Sequence, residues 1–465
     1  MKIEIENLGV LKKAEFDLGE FTILCGGNNT GKTYATYALF GFLSFWREAF
    51  ALNVPRKIIN ELLTEGSIKV NIQTYLKEAP DILRKSCHEF ITRLPMIFAA
   101  SETNFKETSF FVTIDDTELQ PIPSFEREMG AAKTPLFSIL KEKDQLYVTI
   151  SLLKEKNQTK IPIQIIQKTI GFALKDIIFG QLFPNPFIAS AERTGAAIFR
   201  NELNFARNRL VEQLGNSTKD INPFDLINRV YSDYPLPVKK NVDFTRQLEG
   251  LTKKNSFIQE EHPQVLAAFA DIIGGSYKVI KDDNLYFIPD ADKRVKLTMD
   301  ESSSGVRSML DIGFYLRHVA QKGDLLMVDE PELNLHPENQ RRIARLFAQL
   351  VNIGIKVFIT THSDYIIKEL NTLIMLSNET PSTRQIGEDE GYTPEEVISA
   401  NKIKVYIAEK KLMQIAGKAR RTRHYTLTPG DIDSELGIEA RSFDTTIDEM
   451  NRIQEALYFA QEADE

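Results

Sequence analysis

Gly26-Gly27-Asn28-Asn29-Thr30-Gly31-Lys32-Thr33 matches the pattern G-x-x-x-x-G-K-[ST] at every position, and its flanks dictate the local fold. Phe21-Thr22-Ile23-Leu24-Cys25 just before it is a short apolar run of strand character. Tyr34 to Phe50 just after it is free of proline and helical in composition. A strand–loop–helix unit of this kind turns successive backbone N–H groups inward, and the start of the helix adds a dipole that favours negative charge. Lys32 is then placed to reach outer phosphates as a point charge, and the Thr33 hydroxyl to ligate magnesium. A chance glycine turn does not match eight positions in that context.

Much later, Leu325-Leu326-Met327-Val328 is an apolar strand that runs into Asp329-Glu330-Pro331-Glu332. Asp329, emerging at the strand tip, is the candidate to hold magnesium directly or through water, and Glu330 the candidate general base for an attacking water. Adjacent residues of a strand point to opposite sides, so two neighbouring carboxylates can take separate roles. Lys356-Val357-Phe358-Ile359-Thr360 is the next strand and leads to Thr361-His362; Pro337–Val351 between them reads as a helix. Strand–helix–strand implies parallel, right-handed crossover packing, with active loops at the strands' C-terminal ends. Topology therefore gathers Lys32, Asp329, Glu330 and His362, and His362 fits a sensor of a terminal phosphate. Ser303-Ser304-Gly305, at the start of a helix running through Arg317, offers small hydroxyls and backbone N–H groups suited to an anion. It lies too near the carboxylates in sequence to be a second phosphate loop, so the physical option is that it caps a nucleotide held by another copy.

Composition limits the alternatives. At 465 residues and 42% hydrophobic content, the chain has room for about three domains or one large composite with insertions. The only cysteines are Cys25 and Cys87, so no disulfide framework is implied and a reducing cytoplasm is expected. The N-terminus alternates as a strand rather than opening a signal peptide, and the most apolar stretch, Tyr37–Trp46, is too short to span a bilayer. A net charge of −8 argues against general nucleic-acid coating. Against that background Lys402, Lys404, Lys410, Lys411, Lys418, Arg420, Arg421, Arg423 and His424 form a local basic stretch, suited to a polyanion, an acidic protein or solvent alone.

The order of motifs resembles an ABC-type ATPase of the branch that includes the RecF, SMC and OLD families. The resemblance covers roughly residues 1–50, 185–200 and 295–376. It implies an α/β fold: an ABC-type P-loop ATPase head, with a mixed sheet flanked by helices and an antiparallel β subdomain, plus a helical insertion. The expected organisation is 1–195, a lobe with the Walker A loop and β subdomain; 196–275, the helical insertion; 276–400, a lobe with signature, Walker B and switch histidine; and 401–465, an α/β tail. On this resemblance Gly26–Thr33 is Walker A, Asp329 and Glu330 are the Walker B pair, His362 is the switch histidine, and ATP with Mg2+ is the ligand set. The family's Leu-Ser-Gly-Gly signature here reads Ser302-Ser303-Ser304-Gly305-Val306, with Ser304 at the first glycine and the leading leucine replaced. Such departures are similar to those in OLD-like proteins. Gln73 is one candidate for the glutamine loop, and Arg193, within Ala191-Glu192-Arg193-Thr194-Gly195, is a candidate to reach the nucleotide.

OLD nucleases carry a TOPRIM nuclease module after the switch histidine, whereas 103 residues follow it here. Asp431-Ile432-Asp433 lacks that module's upstream glutamate strand and reads as a turn. Length and arrangement most resemble the ATPase subunits of PARIS-type anti-phage systems, with Septu-type ATPases next. That resemblance implies a homo-oligomeric sensor, built on an ATP-sandwich dimer, that holds a separately encoded TOPRIM-type nuclease effector inactive. A phage trigger protein, a DNA mimic being one candidate, would release it. The alternative is a RecF/SMC-like DNA repair ATPase that clamps duplex DNA. A transporter motor fits poorly, because neither the insertion nor the tail has membrane-coupling character.

Overall fold

The computed structural model describes residues 1–50, 52, 54–115, 117–131, 134–153, 162–199, 234–280, 284–414, 420–439 and 449–458. Residues 200–233 of the expected helical insertion lie outside the described residues, as do Lys418 and residues 440–448. The chain divides into two compact units: Met1–Glu4, Phe42–Arg93 and Thr108–Asn185 form the first, and Ile5–Gly41, Leu94–Glu107 and Pro186–Glu465 the second.

The strands, in chain order, are β1 (Lys2–Leu8), β2 (Leu11–Asp17), β3 (Phe21–Cys25), β4 (Ser67–Asn71), β5 (Ser109–Thr113), β6 (Phe125–Ala131), β7 (Thr134–Lys141), β8 (Tyr147–Leu152) and β9 (Pro186–Ala189). There follow β10 (Gly275–Ile280), β11 (Asn284–Pro289), β12 (Leu297–Thr298), β13 (Leu325–Asp329), β14 (Lys356–Thr361), β15 (Ile403–Met413), β16 (Thr422–Pro429), β17 (Ile432–Asp433) and β18 (Gly437–Ile438). A nine-stranded mixed sheet has the order β5-β1-β2-β16-β15-β3-β14-β13-β9, and separate antiparallel sheets are β4-β8-β7-β6 and β10-β11-β12. The α/β class with an antiparallel subdomain is therefore as expected.

In the first unit, helix Gln73–Ile91 and helix Ile163–Phe179 accompany the β4-β8-β7-β6 sheet. The stretch 51–100, read from sequence as helix and loop, also contributes strand β4, whose alternating Ser-Ile-Lys-Val-Asn pairs with β8 along its whole length. Five residues with one fully buried side chain leave little periodic signal. The core of this unit is aromatic: Trp46, Phe50, Phe179 and Phe183 pack with ring centroids 4.9 Å apart for Phe50–Phe179 and 5.1 Å for Trp46–Phe183. Full burial of each such ring contributes about 2–3 kcal/mol.

In the second unit, β3, β14, β13 and β9 are consecutive parallel neighbours, as the crossover argument requires. All five residues of β3 and of β13 are buried, which is why they read as continuous rather than alternating apolar runs. The intervening helix Pro337–Asn352 starts at Pro337, with the His336 ring accepting from the Glu338 N–H, and buries Ile343, Ala344, Phe347 and Leu350. Two strands from late in the chain complete the sheet: β15 runs parallel to β3 on the side opposite β14, and β16 continues from it to β2.

Candidate functional site

Register fixes the site. Cys25 of β3 is level with Thr361 of β14, and Thr360 with Asp329 of β13, so the phosphate loop, His362 and Glu330 all leave neighbouring strands at the same edge. Ser190, after β9, follows the same edge. Lys32, Asp329, Glu330 and His362 are thereby brought together, as the topology argument anticipated.

Two glycines make the loop possible. Gly26 has φ +133°, and a Cβ there would lie 2.6 Å from the Ala408 carbonyl of β15; Gly31 has φ +103°, and its Cβ would strike the Leu11 side chain at 2.6 Å. Asn29 takes the left-handed conformation at φ 59°. Thr30 Oγ1 donates to the Gly27 carbonyl at 2.8 Å, tightening the turn. Lys32 Nζ donates to the carbonyls of Gly26 and Gly27, both at 2.8 Å, so the ammonium sits inside the loop. Burial lowers its pKa, opposed by the attraction of Glu330, Asp329 and Glu332. Gly27, Asn28, Asn29 and Thr33 are exposed at the loop's open side. Cys25 beneath it is fully buried, and burial pushes its thiol up to about 12, which suits packing and not chemistry.

Asp329 is 1% exposed. Thr360 Oγ1 donates to its Oδ1, while Oδ2 is buried with no hydrogen-bond partner among the described residues. Burial raises the Asp329 pKa to about 6 against the lowering effect of the Thr360 hydrogen bond. A buried carboxylate oxygen left open beside a phosphate loop fits a divalent cation of the magnesium type, which usually takes one or two carboxylates plus phosphate and water. Among the described residues there is no cluster of three or more His, Cys, Asp or Glu that would form an all-protein cage.

Glu330 carries the backbone strain of the site, with φ 50°. Its N–H donates to the Thr360 carbonyl and to Thr360 Oγ1, both at 3.1 Å. Its carbonyl accepts from Arg193 Nη2 at 2.8 Å. Arg193 is 1% exposed and spends its other donors on the carbonyls of Ser308 (2.8 Å), Ser190 (2.9 Å) and Asp329 (2.6 Å). The expectation that Arg193 reaches nucleotide is thus corrected: the guanidinium is enclosed and committed to main chain, tying β9, the end of β13 and the serine-rich helix into one block. Sequence could not show this, because a buried arginine and a phosphate-binding arginine have the same flanks.

The serine-rich turn is also anchored. Ser303 Oγ accepts from the Val306 N–H at 3.3 Å and caps the short helix Ser304–Ser308, while Ser303 and Ser304 are exposed. Ser308 Oγ donates to the Gly305 carbonyl at 2.9 Å and to the Leu333 carbonyl at 3.1 Å, and a Cβ on Gly305 would lie 3.0 Å from the Asn334 carbonyl. The turn thereby leans on the loop that follows Glu330.

Three groups escaped the sequence reading: Thr360, Glu332 and Thr361. Glu332 is 7% exposed, and its Oε1 accepts from Thr361 Oγ1 at 2.9 Å and from the His362 N–H at 2.7 Å. The pair of threonines before His362 was the available signal, since hydroxyls at a buried strand end need acceptors. Gln73 opens a helix of the first unit with its side chain exposed. Asp433 Oδ1 accepts from the Glu435 and Leu436 N–H groups at 2.7 and 2.9 Å; the expected turn is thus shifted to residues 434–436, and Ile432–Asp433 is the short strand that leads into it.

A loop that can cradle phosphates, a buried carboxylate with an open oxygen, a strained glutamate and a histidine at adjacent strand ends define a P-loop nucleoside-triphosphatase site. The AAA ATPase domain family matches residues 1–367, most of the chain, and the protein belongs to that family. No curated protein sequence matches it. Similar solved structures include an Smc head bound to the C-terminal winged-helix domain of ScpA, with 12% identity over 91% of this chain and 97% of that one, at a TM-score of 0.32. An Smc head domain with an extended coiled coil, bound to the C-terminal domain of ScpA, from Pyrococcus furiosus has 11% identity over 97% and 98%, at 0.31. The SMC head domain from Thermotoga maritima has 11% identity over 93% and 98%, at 0.30. Scores this low carry no argument about the site. Among the described residues, no helix is long and apolar enough to cross a membrane.

Proposed function

We propose that this ATPase binds ATP with Mg2+ between two copies of the chain, and that it acts as the oligomeric sensor and scaffold of a bacterial anti-phage system. The observation that carries the hydrolytic reading is the placement of Lys32, Asp329, Glu330 and His362 at one edge of four parallel strands. In this reading Gly26–Thr33 would hold the triphosphate, and Asp329 with the Thr33 hydroxyl would hold Mg2+, which would supply screening of the phosphate charge. Glu330 accepts a proton from the attacking water, and His362 meets the terminal phosphate. The exposed Ser303 and Ser304, on a turn braced against the Glu330 loop, support their use as a lid over the nucleotide of another copy. The effector would be a separately encoded TOPRIM-type nuclease, released when a phage protein is sensed; this follows the likeness of motif order to PARIS-type ATPase subunits.

A second reading, a DNA-clamping ATPase, draws on the β15–β16 ribbon. Its distal part exposes Lys410, Lys411, Arg421 and Arg423, and none of these has a carboxylate ion-pair partner among the described residues. Co-expression with the neighbouring reading frames separates the two. Recovery of a stable nuclease complex, toxic only on infection, is the expected result. ATP turnover driven by duplex DNA with a steep salt dependence, and no protein partner, would overturn it. Ser304→Arg should leave the monomer folded and abolish ATP-dependent association in light scattering.

A further inference from the structure

His362 is half exposed, and its Nδ1 has two carboxylates to choose between. Glu332 Oε1 lies 3.1 Å away and Glu330 Oε1 3.8 Å. Only the first is within hydrogen-bonding distance. The same Glu332 oxygen already accepts the His362 main-chain N–H and the Thr361 hydroxyl, so one buried carboxylate holds the residue's backbone and faces its ring nitrogen. Thr361 Oγ1 in turn accepts from the Ser363 N–H at 3.0 Å. Ser363 caps the following helix and donates to Gln340 Oε1 at 2.6 Å. The carboxylate end of this network is fixed from the other strand, because Glu332 sits in the tight turn after β13 where the Leu333 N–H donates to the Glu330 carbonyl and the Leu335 N–H to that of Glu332.

From this geometry we infer that Glu332 is the positioning residue of the hydrolytic site, acting through His362. A buried carboxylate accepts and does not donate, so the ring proton belongs on Nδ1 and Nε2 is the nitrogen left for the terminal phosphate. Two consequences follow. The ring is aimed before nucleotide arrives, at no further cost in side-chain freedom. Glu330, at 3.8 Å, is left beyond hydrogen-bonding distance of the histidine, and its carboxylate stays available to water. The inference rests on the phosphate-facing reading of His362.

The test uses the full chain. Glu332→Met keeps length and apolar bulk but removes the acceptor, while Glu332→Gln keeps an oxygen there. The Met variant should lose at least about tenfold in kcat with ATP affinity changed less than about threefold, and the Gln variant should recover most of the rate. In a His362→Ala background, Glu332→Met should cost nothing more. Wild-type turnover by Glu332→Met, or an equal loss with and without His362, would overturn the inference. Nitrogen-15 spectra of histidine-labelled wild-type protein above the imidazole titration, assigned by the resonance missing in His362→Ala, decide the tether even if the Met variant does not fold. A proton on Nδ1 is expected, and one on Nε2 refutes it. Normal turnover by His362→Ala alone would instead remove the role of His362, a failure distinct from a wrong tautomer.

Discussion

Changing Arg193 to lysine isolates geometry from charge at the joint behind the catalytic strand. The guanidinium serves four carbonyls, those of Ser308, Ser190 and Asp329, which are buried, and that of Glu330, which is partly buried, from three nitrogens in a rigid plane. An ammonium offers three donors from a single point, and carbonyls spread around a planar fork cannot all be reached from there. Two left unpaired, at about 1–3 kcal/mol each, put the expected loss at roughly 2–6 kcal/mol. For a unit of this size that is a fall of about 4–10 °C in melting temperature, read by circular dichroism. The same change should slow hydrolysis. The left-handed Glu330 is held at its carbonyl by Arg193 and at its N–H by Thr360, and such a conformation costs on the order of 1–3 kcal/mol when unsupported. Releasing the Arg193 restraint should depopulate the working conformer and lower kcat about tenfold, with little change in ATP affinity. If Arg193→Lys melts within about 1 °C of the parent and turns over at the same rate, the clamp argument is wrong.

Glu330→Gln should bind ATP as before and fall at least about a hundredfold in turnover, accumulating an ATP-bound assembly; normal phosphate release would remove Glu330 as the base. Chelation of divalent cations should stop turnover and magnesium should restore it, whereas chelator-resistant hydrolysis would contradict the assignment of the open Asp329 oxygen. Asp311 supplies a pH test: it is 2% exposed, both its oxygens lack partners among the described residues, and burial raises its pKa to about 7, offset in part by Arg193. Its folded pKa lies above the unfolded one, so the stability it contributes is whole below about pH 4 and is lost as pH rises to about 7. Denaturant midpoints of the parent should therefore drop relative to Asp311→Asn between pH 4 and 7, and parallel curves would refute this.

The parts legible in the sequence were those with dense local signals. The phosphate loop declares itself through consecutive residues, and β13 and β14 through uninterrupted apolar runs that end in charged or imidazole side chains. What stayed hidden depends on partners distant along the chain. The commitment of Arg193 to main-chain carbonyls needs β9, β13 and the serine-rich helix in one place, and no window of sequence contains all three. The two hydroxyls at the end of β14 look like ordinary strand residues until the carboxylates of the facing turn are known. The adjacency of β15 to β3 is likewise invisible, since Ile403–Ile407 alternates like any half-buried strand while pairing with Phe21–Cys25.

That adjacency has a consequence for synthesis. The strand feeding the glycine loop acquires one neighbour from residues 356–361 and the other from residues 403–407, and the loop's first glycine is closed in by the Ala408 carbonyl. A nascent chain therefore carries its phosphate loop unwalled for most of its time on the ribosome, on the order of tens of seconds at ordinary elongation rates. Competence to hold a nucleotide arrives late and all at once, so a chain truncated before β15 should be recognised by the cell as unfinished rather than serve as a partly active enzyme.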